Sequence, residues 1–144
     1  MTFLKKKNIV YKGGDIVEII IKHNKKKYRK FNFVKFDIIN DKENKKFDIL
    51  HLKDCLFHFA IEDIHKTLKN ITSFKTKYTL ITSHNSLLLK NINIKNGQFR
   101  FLDLRKEPFN LPKPIIKIKD LSLSFDHFPR YVGVWKTLEL KKHL

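Results

Sequence analysis

Hydrophobic positions along this chain change period several times, and each change marks an expected element. Asn8 to Tyr11 is a short apolar run that stops at Gly13-Gly14, which predicts a strand and a turn. Asp15 follows and is placed to cap a helix from Val17 to about Tyr28. Ile16, Ile19, Ile20 and His23 give that helix its apolar face, and Lys25, Lys26 and Lys27 fall in its last turn, where cations oppose the helix dipole. Phe31 to Phe36 predicts a second strand, with Asp37 at its C-terminal end. Asn40 to Lys46 is polar and reads as a loop.

Phe47 to Leu52 is mostly apolar, as expected of a strand covered on both faces. Ile61, Ile64, Leu68 and Ile71 then recur at helical spacing after Ala60, with Glu62 and Lys66 paired on the other face. Tyr78 to Thr82 predicts a fourth strand. His84 to Pro114 keeps no period, yet its Phe99, Phe101, Leu104 and Phe109 predict an ordered, packed loop. Ile115 to Ile118 and Tyr131 to Trp135 read as closing antiparallel strands joined through Ser122 to Pro129. Strands alternating with helices predict an α/β sandwich with a largely parallel sheet and an antiparallel C-terminal edge, in one domain over 1–144.

Composition narrows the classes. A chain of 144 residues can hide roughly 70% of its unfolded surface, enough for a core. No apolar run reaches the roughly 18 residues of a membrane span. No apolar segment follows Lys5, Lys6 and Lys7, so no secretion signal is read, and the lone Cys55 fits a reducing, cytoplasmic setting. The formal charge of +17 suits a nucleic-acid surface. The lysines, however, are scattered from Lys5 to Lys142, and Lys, Asn, Ile and Phe all have AT-rich codons, which favours compositional drift. Attraction to anionic glycans or lipid headgroups is a third reading.

Read together, the pieces resemble a group of class I S-adenosylmethionine-dependent methyltransferases. The group's Gly-x-Asp-Ile-Val is here Gly13-Gly14-Asp15-Ile16-Val17, and an Asp-Ile after the next strand is Asp37-Ile38. Its Arg-Asp-x-Leu-x-His-Leu is here Lys53-Asp54-Cys55-Leu56-Phe57-His58-Phe59. The following helix matches at Asp63-Ile64 and Leu68-Lys69-Asn70, and the next strand at Tyr78 to Thr82. The most specific element is the long loop, Asn91 to Leu104 with Gly97, Phe99 and Arg100 in place, followed by an intact Pro-Phe-Asn-Leu-Pro-x-Pro from Pro108 to Pro114. Gly133-Val134-Trp135 matches the group's last strand. Asn93 replaces an aspartate of the group, Asp103 an asparagine and Lys53 an arginine.

The resemblance implies a three-layer Rossmann-like methyltransferase sandwich that starts after the group's first strand, Gly-rich turn and first helix. It implies S-adenosylmethionine as cofactor, held weakly or not at all by the shortened chain alone. A complementing chain or a second copy is then an expected partner, because a missing strand leaves edges open. The methyl acceptor is unknown.

By resemblance, Asp15 meets the ribose hydroxyls, Asp37 and Ile38 flank the adenine, and Leu52 and Lys53 line the sulfonium end. Asp54 orients a loop or substrate. Each aspartate has a structural alternative, Asp15 and Asp54 as caps and Asp37 as a strand-end turn. His58 is the candidate base for an acceptor hydroxyl or amine, although a histidine among Leu56, Phe57 and Phe59 can equally be packed in the core. Arg100, Phe109 and Asn110 are the candidate substrate contacts on the long loop. Cys55 has no visible helper for nucleophilic work, and the seven histidines show no metal-ligand spacing, so no metal is expected. The competing reading is a non-catalytic basic α/β domain that binds nucleic acid or a partner protein.

Overall fold

The computed structural model describes residues 9–85, 87–120 and 129–144. The chain divides into two compact units, Met1–Asp41 and Lys42–Leu144.

The first unit holds β1 (Lys12–Asp15), α1 (Glu18–Lys27) and β2 (Asn32–Lys35). β1 and β2 pair in parallel, with Gly13 opposite Phe33 and Asp15 opposite Lys35. The strand expected at Asn8 to Tyr11 begins instead at Lys12 and takes in both glycines; Asn8 lies outside the described residues. Packing explains the shift. A Cβ on Gly13 would sit 2.7 Å from Phe33 Cδ1, so glycine here lets the Phe33 ring lie against the strand. Tyr11 meets Phe31 and Phe33 edge-on, at ring-centroid distances of 5.4 and 5.8 Å. α1 differs in its buried face. Ile21 is the helix's buried residue, while Ile16, Ile19, Ile20 and His23 are exposed. Lys25, Lys26 and Lys27 close the helix as expected.

The second unit runs β3 (Phe47–Leu52), a 3₁₀ turn (Leu56–His58), α2 (Ile61–Ile71), β4 (Thr76–His84), β5 (Ile116–Lys119), β6 (Arg130–Lys136) and α3 (Thr137–His143). Its sheet has the order β3-β4-β6-β5. β3 and β4 are parallel, the arrangement a helical crossover such as α2 permits. β6 is antiparallel to both β4 and β5, so the last strand runs back between two strands that share one direction. The connection read at Ser122 to Pro129 falls mostly on 121–128, outside the described residues.

Burial follows position in this sheet. β4 is paired on both sides, and its last four residues, Ile81 to His84, are buried. It is longer than its apolar run suggests because pairing with β3 reaches back to Thr76 and pairing with β6 runs on to Ser83 and His84. β3 was expected to be covered on both faces. It ends the sheet instead, with Leu52 its buried residue and Ile49 exposed. α2 turns Ile64, Thr67, Leu68 and Ile71 inward, and the Glu62–Lys66 pair forms outside at 2.8 Å. α3 was not foreseen. Glu139 in its first turn and Lys141, Lys142 and His143 in its last are the charge pattern that marks it. Among the described residues, no helix is long and apolar enough to cross a membrane.

Candidate functional site

Parallel strands deliver their C-terminal ends to one edge of a sheet, where open α/β folds bind ligands. In the first unit this places Asp15 at the end of β1 and Asp37 just beyond β2. One Asp15 oxygen, Oδ1, accepts the Val17 N–H at 2.8 Å. That bond makes a tight turn into α1, two positions ahead of the Val17 N-cap, and leaves Oδ2 for other donors. A diol fits this arrangement, since a carboxylate can accept from two hydroxyls. Asp37 is more committed to its own turn. Oδ1 accepts the Ile39 N–H at 2.9 Å, Oδ2 accepts Asn40 Nδ2 at 2.8 Å, and its own N–H donates to Asp41 Oδ2.

In the second unit β3 ends at buried Leu52, and the chain turns at Asp54 in a left-handed conformation (φ 52°). A non-glycine residue rarely takes this shape unless its surroundings hold it there. Here the Asp54 N–H donates to Thr82 Oγ1 on β4 at 3.0 Å. Its carboxylate joins a cluster of two acids and two bases. Lys53 Nζ lies 2.5 Å from Asp54 Oδ2 and 3.6 Å from Asp120 Oδ2, and Arg130 Nε lies 3.0 Å from Asp120 Oδ2. Arg130 Nη1 also approaches Asp54 Oδ1 at 3.7 Å. The Asp120 and Arg130 side chains are only 10% and 13% exposed, so this pair is the better shielded part of the cluster.

The 3₁₀ turn after Asp54 is zipped to the long loop. Gly97 N–H donates to the His58 carbonyl at 2.8 Å and Arg100 N–H to the Phe57 carbonyl at 3.2 Å. His58 Nδ1 lies 2.9 Å from the Gln98 carbonyl. A carbonyl only accepts, so Nδ1 carries a proton, and in the neutral ring the lone pair belongs to Nε2. His84 has the opposite arrangement. It receives the Leu102 N–H at Nδ1 (3.1 Å), which assigns the proton of its neutral ring to Nε2. Phe57, Phe99, Phe101, His58 and His84 form one aromatic cluster around these bonds, with Phe57 and Phe99 centroids 5.3 Å apart.

Arg100 lies within this zipped segment. It is 4% exposed, and its Nε, Nη1 and Nη2 have no hydrogen-bond partner among the described residues. Burial alone pulls its pKa below the ordinary arginine value. The other two expected substrate residues stand elsewhere on the loop. The Phe109 ring is buried and meets His65 of α2 at 5.0 Å, and Asn110 is left-handed (φ 49°) with its carbonyl bonded to His143 Nε2 of α3. Lys53, Asp54, His58 and Arg100 are thus tied to the end of β3 and the turn after it, whereas Phe109 and Asn110 are tied to helices.

Sequence reasoning missed Asp120, Arg130, Asn93 and Asn96. Asp120 and Arg130 flank the β5–β6 connection, and nothing in the linear pattern pairs them with Asp54. Asn93 and Asn96 cap α2 from 30 or more residues away. Asn96 Oδ1 accepts the Ala60 N–H at 2.6 Å and Asn93 Oδ1 the Ile61 N–H at 2.9 Å. The signal for them was present, since Ala60 offers α2 no capping side chain of its own.

No protein-family model and no curated protein matches the sequence. Solved structures do. An S-adenosylmethionine-dependent methyltransferase from Clostridium acetobutylicum superposes with a TM-score of 0.57 at 13% identity, over 87% of this chain and 74% of that one. The PH0226 protein from Pyrococcus horikoshii gives 0.60 at 15%, over 94% of this chain and 74% of its own. TehB from Haemophilus influenzae gives 0.57 at 14%, over 94% of this chain, which spans about half of TehB (52%). The chain shares a mixed α/β, Rossmann-like fold with these structures.

Proposed function

We propose that this chain acts as an S-adenosylmethionine-dependent methyltransferase. The observation that carries the reading is the fold it shares with a methyltransferase over 87% of its length. The Lys53–His58 turn and the loop from Asn91 to Pro114 support it, because there the motif resemblance and the hydrogen-bonded geometry coincide.

The cofactor, when bound, supplies a methyl group already activated on a sulfonium, so the protein's main task is to position and deprotonate the acceptor. Asp15, with one oxygen uncommitted, is suited to accept from the ribose hydroxyls. Asp37 and Ile38 form the turn assigned to the adenine, and Asp37 holds that turn rigid with three hydrogen bonds. Leu52 and Lys53 are assigned to the sulfonium end. Lys53 does not put an isolated positive charge there, since Asp54 and Asp120 neutralise it. His58 is suited to accept a proton at Nε2 from an acceptor hydroxyl or amine, because its Nδ1 proton is fixed on the Gln98 carbonyl.

Calorimetric titration of the purified chain with S-adenosylmethionine and S-adenosylhomocysteine tests the reading, with thermal melts alongside. Weak but saturable binding with a small rise in melting temperature is expected. A well-folded chain that binds neither compound would sink the proposal.

A further inference from the structure

Several cations of the second unit have carboxylate partners; Arg100 has none among the described residues. Lys53 and Arg130 share two carboxylates, Lys66 reaches Glu62 and Asp63, and Lys77 reaches Asp48. Arg100 is more deeply buried than any of these, yet its three guanidinium nitrogens meet no acceptor among the described residues. A guanidinium cannot shed its proton under ordinary conditions, so burial does not neutralise it. An uncompensated buried charge destabilises a fold. Such a residue is kept where something other than the fold requires it.

Its position indicates what that is. Arg100 sits on the loop strand that Phe57 and His58 hold through backbone bonds, so it and the candidate base belong to one hydrogen-bonded unit. The guanidinium's planar fork of N–H donors matches the oxygens of a carboxylate or a phosphate in a bidentate pair. We propose that Arg100 anchors an oxyanion, a carboxylate or phosphate group, of the methyl acceptor, and that the substrate of this chain is therefore an anion. Naming the acceptor as the owner of that group rests on the methyltransferase reading; the anion site itself does not. The fork is covered, so the segment that carries it parts to admit the anion. The acceptor's negative charge then offsets the charge that burial leaves exposed to no partner.

The test uses the full chain and its Arg100→Met and Arg100→Lys variants. Melting temperatures are compared in sodium phosphate, sodium acetate and sodium chloride at equal ionic strength, and S-adenosylmethionine is titrated into the same samples. Phosphate or acetate is expected to raise the melting temperature of the native chain by about 3 °C or more over chloride. The larger of the two shifts identifies the oxyanion. Arg100→Met, which keeps the apolar stem and removes the charge, is expected to melt above the native chain in chloride and to show no anion shift. Arg100→Lys keeps a charge without the fork and is expected to retain less than half of the shift.

An equal anion shift in the native chain and in either variant overturns the proposal. So does a native chain that responds to neither anion, or an Arg100→Met chain that melts well below the native one in chloride, since the guanidinium would then serve a structural partner. Loss of the cofactor response with the Arg100-dependent shift intact would overturn the methyltransferase reading and leave the anion site standing.

Discussion

The side-chain amide of Asn96 bridges Ala60 and Asp63: its Oδ1 accepts the Ala60 N–H at 2.6 Å, and its Nδ2 donates to Asp63 Oδ2 at 2.6 Å. The long loop therefore supplies the N-terminal cap that α2 lacks in its own sequence, with Asn93 capping Ile61 beside it. Asn96→Ala is expected to cost about 1–2 kcal/mol in urea unfolding, the range for loss of a helix cap. Asn93→Asp should be neutral or slightly stabilising, because a carboxylate accepts the same N–H and favours the positive end of the helix dipole. A cost above about 1 kcal/mol for Asn93→Asp would show that Asn93 acts through its Nδ2 donor.

The same bridge sets a pH dependence. The Asn96 hydrogen bond holds the Asp63 carboxyl below its ordinary pKa against burial, the next largest effect, with lesser help from the hydrogen bond and attraction of Lys66. A carboxylate with a depressed folded pKa adds stability above its unfolded pKa of about 3.9, and that stability is lost as pH falls through the folded value. Asn96→Ala should move the Asp63 pKa back up, as read by carboxyl NMR titration. It should also make the gap between native and variant stabilities narrow, to the part the Ala60 cap contributes, as pH falls from the unfolded through the folded Asp63 pKa. A constant difference across that window would assign the bridge no electrostatic role.

Gly133 and Trp135 lie on one face of β6, and the indole covers the glycine. A Cβ on Gly133 would fall 2.3 Å from Trp135 Cη2. The indole is held there, since its Nε1 donates to the Pro112 carbonyl at 2.8 Å and the ring is 1% exposed. Gly133→Ala is expected to cost about 1–3 kcal/mol by overpacking, with a change in tryptophan fluorescence as the indole shifts. An unchanged spectrum with native stability would mean that the strand relaxes around the methyl.

The elements fixed by a strong local period were legible. α2 is predicted to the residue, because Ile61, Ile64, Leu68 and Ile71 leave a single register open. β3 is legible in extent but not in burial, since an apolar run does not tell a central strand from a terminal one. α1 shows the same limit in a helix. Ile19, Ile20 and Ile21 are consecutive, and the period alone does not show that Ile21 is the one that packs. At the candidate site, the motif resemblance pointed to the segment from Lys53 to His58 and to Arg100. The isolation of Arg100, the tautomer of His58 and the acid–base cluster could not be read, because each depends on how segments distant in the chain meet.

Asp120 and Arg130 form the shielded core of that cluster, with Lys53 and Asp54 toward solvent. Removing one partner of a well-shielded pair leaves the other charge uncompensated. Asp120→Ala is expected to cost about 2–4 kcal/mol, and Arg130→Ala a similar amount. The double variant should cost clearly less than the sum, because neither charge is then stranded. Additive single effects in urea unfolding would mean that water already screens the pair.

His58 offers the sharpest functional test among the residues near Asp54. Gln98 fixes its Nδ1 proton, so the neutral ring presents a lone pair at Nε2 rather than a second donor. If that lone pair removes the acceptor's proton, His58→Ala should lower kcat about 10²–10⁴-fold. S-adenosylmethionine affinity, measured by calorimetry, should stay within about threefold, because the cofactor assignments fall on other residues. His58→Asn, which keeps a hydrogen bond to the Gln98 carbonyl but supplies no basic nitrogen, should be as inactive as alanine while melting closer to the native chain. A histidine that serves only to pin the loop would give the reverse. His58→Asn would then restore activity along with stability, and the pH–rate profile would lack the histidine limb that proton transfer to Nε2 requires.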